Sequence, residues 1–290
     1  MGLRTKFNLS FILVAGIGIA ASGFISYKML QDNAREEVLQ TAGIIMASAK
    51  ANRGYTIDEI RPLLKELDKG FVPQMVPAYS AHANIKRLHV RYPEYSYKEA
   101  TINPTNPASR ATDWEASLVE YFKNNPEATE LVGEQNAAKG RSLYIARPIK
   151  ITKAGCLACH GKVEDAPPAM LARYGEANGF GWQMNEVVGT QLVKVPMSLP
   201  LERADRTFIT FMISMSIIFV TVIVLLNVLL NAIVIRPIRK MSMHAEQVSL
   251  GDLDAADFKA KGNDEVASLA SSISRMHRSL VSAMKMIDDD

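Results

Sequence analysis

Residues 141–160 read RSLYIARPIKITKAGCLACH, and two patterns in this stretch decide how the chain is read. Arg141, Leu143, Ile145, Arg147 and Ile149 alternate with Ser142, Tyr144, Ala146 and Pro148, and a period of two predicts a strand. Directly after it comes Cys156-Leu-Ala-Cys159-His160, which uses both cysteines of the chain and one of its five histidines. C-x-x-C-H is the attachment pattern of c-type haem. Two thiols one helical turn apart add across the two vinyl groups of one porphyrin, and the next residue offers its imidazole to the iron. A zinc site would need two further ligands, and no H-x3-5-H follows. A redox dithiol expects a strand before it and a helix after it, and requires no histidine there.

Haem is attached covalently outside the bacterial cytoplasm, so the motif demands export. Working outward, Phe7 to Tyr27 is uncharged and largely apolar, preceded by Arg4 and Lys6. A second uncharged stretch lies between Arg206 and Arg236. Each is long enough to cross about 30 Å of hydrocarbon at roughly 1.5 Å per residue. Arg4 and Lys6 before the first, and Arg236, Arg239 and Lys240 after the second, place both termini in the cytoplasm. The expected organisation is therefore a first transmembrane helix at 7–27, an outer domain at 28–206, a second transmembrane helix at 207–235 and a cytoplasmic region at 236–290. The expected location is the bacterial inner membrane with the outer domain in the periplasm, where the haem motif must be. Small residues Gly18, Ala20, Ala21 and Ser22 leave open a cleaved signal peptide. Asn227 and Asn231 read as interfacial or interhelical polar contacts.

Within the outer domain, Val38, Ala42, Ile45 and Ala49 recur at helical spacing over 32–53. A further helix is expected at 57–68 with Thr56 as N-cap, another at 78–91, and another at 112–124, starting near Asp113 and stopping before Pro126. Tyr92 to Arg110, rich in proline, asparagine and serine, reads as mostly loop. Val187 to Met197 is the second expected strand. Helices first, then two strands around the C-x-x-C-H loop, predict an α+β domain on a small antiparallel sheet.

Several separated motifs now resemble a family. Asn103-Pro-Thr-Asn-Pro107, Arg141-Ser-Leu-Tyr144, the C-x-x-C-H, Gly179-Phe-Gly-Trp182 and Glu186-Val-Val-Gly189 are similar to the c-haem, PAS-like sensor domain of bacterial membrane signalling proteins. The resemblance covers roughly residues 35 to 200. It implies a PAS-like fold and one covalent haem c. It also implies that a sulfur ligand or neighbour of the iron comes from the first helix, before an Arg-x-Tyr-Thr stretch, here Arg53-Gly-Tyr55-Thr56.

His160 is the expected proximal ligand. For the distal position, Met46 lies seven residues from Leu39 and from Arg53, so the three share a helical face. Met46 sulfur is then a candidate for the iron and Arg53 for a haem propionate. A distal histidine, His82 before His89, and an open site remain alternatives, as do Met75, Met170 and Met184, and core filling is the ordinary role of a methionine.

After Pro237, Ile238, Met241, Ala245 and Val248 repeat with helical spacing, Gly251-Asp-Leu253 breaks the helix, and Asp264-Glu265 opens another. There Val266, Leu269, Ile273, Met276, Leu280, Ala283 and Ile287 form a heptad seam. Two amphipathic helices joined by a connector behind a membrane span look like a HAMP linker, and their apolar stripes imply a parallel homodimer. Acidic and basic residues nearly balance there, and the whole chain carries only +3, so no nucleic-acid partner is expected.

The sequence thus predicts a membrane-bound haem c sensor, not an enzyme. It would detect redox state or a diatomic gas in the periplasm and pass the signal through the HAMP-like helices to a separate cytoplasmic output protein, such as a kinase or cyclase in trans. A membrane-anchored c-type cytochrome for electron transfer is the alternative. A haem peroxidase-like enzyme would need a distal acid–base set, for which no clear pattern exists.

Overall fold

The computed structural model describes residues 2–67, 70–137, 140–252 and 262–288. It divides into two compact units, residues 27–207 and residues 1–26 with 208–290. The first unit carries a four-stranded antiparallel sheet in the order β1-β4-β3-β2. The strands are β1 (Ser96–Thr101), β2 (Leu131–Ala137), β3 (Gly140–Lys150) and β4 (Val187–Pro196).

Helices cover both faces of this sheet. Along α1 (Leu3–Tyr55), Val38, Ala42, Ile45, Met46 and Ala49 form one buried stripe. They pack with Ala81 and Ile85 of α3 (Pro77–Arg91) on Leu143, Ile145, Val193 and Val195 of the two inner strands. Alternate residues of the same strands point the other way. There Ala146 and Leu192 meet Leu118 and Phe122 of α4 (Asp113–Asn124).

The mostly loop stretch Tyr92–Arg110 also contains β1, whose Tyr97, Glu99, Ala100 and Thr101 are buried against its neighbours. One local expectation needs correction: Thr56 does not cap a new helix. Its Oγ1 donates to the Asn52 carbonyl (2.9 Å), and α1 passes through a π-helical turn, Thr56–Ile60, into α2 (Arg61–Glu66). Pro62 explains the turn. It cannot donate to the carbonyl four residues back, so the preceding turn loosens and Arg61 N–H donates to Thr56. Residue 68, the expected end of this helix, lies outside the described residues.

The expected helix at 112–124 and the two expected strands are present. The helix at 112–124 begins with a capping box in which Thr112 and Glu115 each bond the other's backbone N–H. β3 falls where the period of two placed it, and β4 falls on the second expected strand.

In the second unit, two helices contain 18-residue windows of mean hydropathy 2.1 and 2.8, long and apolar enough to cross a membrane. The first window belongs to the start of α1; the second belongs to α7 (Ser198–Leu230). The Gly18 position faces Phe219 and Gly23 faces Met212, which lets the two helices approach closely. Asn227 donates to the Ile223 carbonyl of its own helix (3.0 Å). A second π turn, Asn231–Ile235, leads into α8 (Arg236–Ser249). After Ser249, Gly251 adopts a φ of +98° that a side chain would disfavour. Leu253, part of the expected break, lies outside the described residues. Asp264 Oδ1 then caps α9 (Glu265–Asp288) by accepting from Ala267 N–H (2.8 Å). The stripe of α9 buried with Met241, His244 and Val248 of α8 is Ala267, Ala270, Ser274 and His277. The neighbouring heptad residues Leu269, Met276 and Leu280 face outward. Ile287 of that seam has no described side chain.

Glu115 generates a pH-dependent prediction. Burial alone would raise its pKa. Hydrogen bonds from Lys98 Nζ and the Thr112 N–H, with the charges of Lys98 and Lys194, outweigh burial and hold it below its ordinary value. Its folded pKa is depressed, so its stabilisation is complete above the unfolded value and lost as pH falls through the folded one. Glu115→Gln should lower stability by about 1–2 kcal/mol at neutral pH. In thermal unfolding of the full chain in detergent, that deficit should shrink towards zero in acid. An equal deficit at both pH values would exclude the carboxylate as its source.

Candidate functional site

The end of β3 delivers the cysteines. Ile151 is pinned to the segment before β4, donating to the Glu186 carbonyl (2.9 Å) and accepting from Asn185 N–H (2.8 Å). A 3-10 turn, Ala154–Cys156, runs into the single turn α5 (Leu157–His160). Cys156 and Cys159 are thus one turn apart, both free and half-buried. Burial pushes the Cys159 thiol up, while Arg61 and Lys65 of α2 act in the opposite direction.

His160 is held from three sides. The Gly181 and Trp182 N–H groups donate to the Gly161 and His160 carbonyls (2.8 and 3.0 Å), docking residues 179–182 beside α5. The Trp182 ring stacks on the imidazole, centroids 4.0 Å apart and 15° from parallel. Nδ1 lies 2.8 Å from the Gly179 carbonyl and 3.4 Å from Thr105 Oγ1. A carbonyl cannot donate, so Nδ1 carries the proton and Nε2 keeps its lone pair. Burial lowers the pKa of His160, opposed by the Gly179 carbonyl, and favours the neutral ring. A neutral imidazole with Nδ1–H on a backbone carbonyl is what a metal-ligating histidine requires. Two thiols one turn apart, followed by such a histidine, fit a covalently attached haem.

The loop at Asn103–Pro107 closes this arrangement. Asn103 Oδ1 accepts from Gly179 N–H (3.2 Å), and Gly179 has φ +87°. A Cβ on Gly179 would overlap Thr105 Oγ1 and lie 2.7 Å from Thr105 N. Two of the motifs that carried the resemblance are therefore in mutual contact around His160. Sequence reasoning gave Thr105, Gly179 and Trp182 no roles. Their signal was that they lie in two of the motifs that carried the resemblance, Asn103–Pro107 and Gly179–Trp182.

The other candidates are distributed differently. Met46 is fully buried in the cluster between α1, α3 and the sheet. Arg53 forms an ion pair with Glu99 of β1 (Nη1–Oε2 2.5 Å), whose other oxygen accepts from Tyr97 OH (2.7 Å). Burial would lower the Arg53 pKa; Glu99, with smaller effects of Tyr97 and Cys156, raises it instead. Tyr97 is raised by burial and by Glu99. Tyr55 is exposed at the end of α1. His82 uses Nδ1 on the Ala78 carbonyl (2.8 Å) and receives Glu99 N–H at Nε2 (3.5 Å). His89 is exposed, with Nδ1 2.9 Å from the Tyr95 carbonyl. Met170 is buried in α6 (Pro168–Tyr174), and Met184 is exposed. Met75 meets Arg61 through its carbonyl.

Residues 31–196 match the family model described as Tll0287-like, and residues 229–282 match the HAMP domain, a linker of signal-transduction proteins. Among solved structures, the crystal structure of the cyanobacterial haem protein Tll0287 is similar at 16% identity and a TM-score of 0.42, over 54% of this chain and 95% of that one. No curated protein matches the chain.

Gly179→Ala should cost about 2–4 kcal/mol, from the positive φ and the overlap with Thr105. Thr105→Ala in the same chain should restore little, because the Thr105 backbone also blocks the Cβ. Thermal unfolding in detergent checks this; full rescue by Thr105→Ala would leave the hydroxyl as the sole obstacle.

Proposed function

We infer that this chain, which belongs to the Tll0287-like family over residues 31–196 and carries a HAMP domain over residues 229–282, is a membrane-bound sensor holding one haem c at Cys156, Cys159 and His160. The observation that carries this reading is the His160 Nδ1 hydrogen bond to the Gly179 carbonyl. It leaves Nε2 ready as an axial ligand directly after a C-x-x-C pair. Bound there, the haem would supply an iron that changes charge on reduction and takes small gases such as nitric oxide, carbon monoxide or oxygen.

The proposed organisation keeps the boundaries read from the sequence: spans at 7–27 and 207–235, a PAS-like periplasmic domain at 28–206 and a cytoplasmic HAMP region at 236–290 in a bacterial inner membrane. Arg4, Lys6, Arg236, Arg239 and Lys240 support this orientation. Met46 is proposed as the second axial ligand. It lies on α1, the helix that ends at Arg53 and Tyr55 and begins with the first apolar window. Arg53 holds the end of that helix to Glu99 of β1. A rearrangement at Met46 would thus act on α1 itself, and β4 leads after Pro196 into α7 and the HAMP helices. Such a sensor works by shifting the balance between two arrangements of a homodimeric HAMP bundle, at a coupling typically of about 1–3 kcal/mol. A cytoplasmic output protein would read that balance, and the chain itself would catalyse nothing.

Two outcomes test this. Denatured membranes should retain a haem-stained band of this chain that Cys156→Ser with Cys159→Ser abolishes, and single cysteines at Ile273 or Leu280 should crosslink between copies at rates that differ between oxidised and reduced protein. Loss of all haem to acid-acetone would remove the central claim, and equal rates in every haem state would favour an anchored electron-transfer cytochrome. Separately, Met46→Ala should turn a low-spin ferrous spectrum into one that takes up carbon monoxide readily; an unchanged spectrum would move the ligand elsewhere.

A further inference from the structure

His244 of α8 and His277 of α9 meet inside the HAMP region, ring centroids 5.1 Å apart and nearly perpendicular. Each is only 7% exposed. His244 Nε2 is buried without a hydrogen-bond partner. Both rings line a cavity of about 180 Å³ whose other walls include Val248, Ile273, Met276 and Leu280, with no Asp, Glu, Lys or Arg among its lining residues. His244 Nε2 in this layer needs a partner, and no acidic or basic side chain among the lining residues offers one. Packing alone does not explain an imidazole at 244, since a leucine fills the same layer without a polar atom to satisfy.

Two features say what completes the layer. Ile273, Met276 and Leu280 belong to the heptad seam, and Met276 and Leu280 are exposed in the single chain, so the cavity opens on the face a second copy would cover. Among the described residues, no group of three or more His, Cys, Asp or Glu is placed to hold a metal; one chain supplies only a pair. We propose that His244 and His277 form half of a transition-metal site, completed by the same pair from a second copy of the chain. The proposal rests on the HAMP homodimer inferred above. Four imidazoles with an apolar surround select zinc, copper, nickel or cobalt and reject magnesium and calcium, which demand oxygen ligands. Two nitrogens on one tetrahedral ion sit roughly 3 Å apart, a spacing that rings this close can reach by rotation. An ion there would clamp α8 to α9 and one copy to the other, fixing the helices whose rearrangement would carry the signal.

The test uses the full haem-loaded chain in detergent, purified on a tag without histidine, equilibrated with zinc and dialysed. Metal content is measured beside molar mass by light scattering, for the parent chain and for His244→Leu and His277→Leu. The expected result is about one zinc per two chains in a dimer, reduced to background in both variants while they stay dimeric. A dimer without zinc, or zinc retained in both variants, overturns the metal site and leaves the dimer standing. A monomeric parent chain overturns both. Stability that depends on pH through these histidines but not on zinc also overturns the site, in favour of a proton-binding pair.

Discussion

The carbonyl of Gly179 orders the candidate site. It accepts the hydrogen bond from His160 Nδ1–H, while the N–H of the same residue donates to Asn103 and its bare α-carbon lies against Thr105. A side chain at 179 would displace the carbonyl, and the imidazole would lose the partner that fixes its tautomer. The stacking of Trp182 and the two backbone hydrogen bonds to residues 160 and 161 then need no further adjustment. The site is thus set by loop-to-loop packing before any cofactor chemistry enters.

A second constraint is electrostatic. Glu99 is almost fully buried, and a carboxylate there is tolerable only because Arg53 and Tyr97 both donate to it. Removing one partner of such a pair generally costs about 3–5 kcal/mol, because the remaining charge stays buried. The end of α1 is therefore bound to β1 by a requirement of charge as well as by packing. Gln191 of β4 reaches the same Tyr97 hydroxyl (3.4 Å), which extends the network across the strands.

How much was legible in the sequence follows from where each strand lies. β3 and β4 are the two inner strands of the sheet, apolar on both faces, and Leu143, Ile145, Val193 and Val195 announce them. β1 and β2 are the edges. β2 is mostly polar, and β1 carries Lys98 and Glu99, whose burial makes sense only with Arg53 and Glu115, at separations no local pattern encodes. The same holds at the site. C-x-x-C-H is a local signature, but Trp182 and Thr105 reach His160 only through the fold. The seven-residue stripe of Leu39, Met46 and Arg53 was read correctly as one face; that Met46 lies in the core between α1, α3 and the sheet was not contained in the spacing. The heptad stripe of α9 was likewise legible, whereas its burial of Ala270, Ser274 and His277 instead depended on the position of α8.

The two π turns share a cause: each precedes an Arg-Pro pair, Arg61-Pro62 and Arg236-Pro237. One extra residue in a turn advances the azimuth of everything beyond it by about 100° relative to an unbroken α-helix. Between α7 and α8 this acts as a phase shifter. The stripe of Met241, His244 and Val248 occupies its present azimuth because Asn231–Ile235 holds the surplus residue. Returning that turn to α-helical pairing would rotate the stripe by about a quarter of a circle and advance α8 along its axis by one residue's rise, roughly 1.5 Å. Proline at 237 opposes that return, so the helix entering the HAMP region carries a stored angular offset, written into the chain by a single missing N–H.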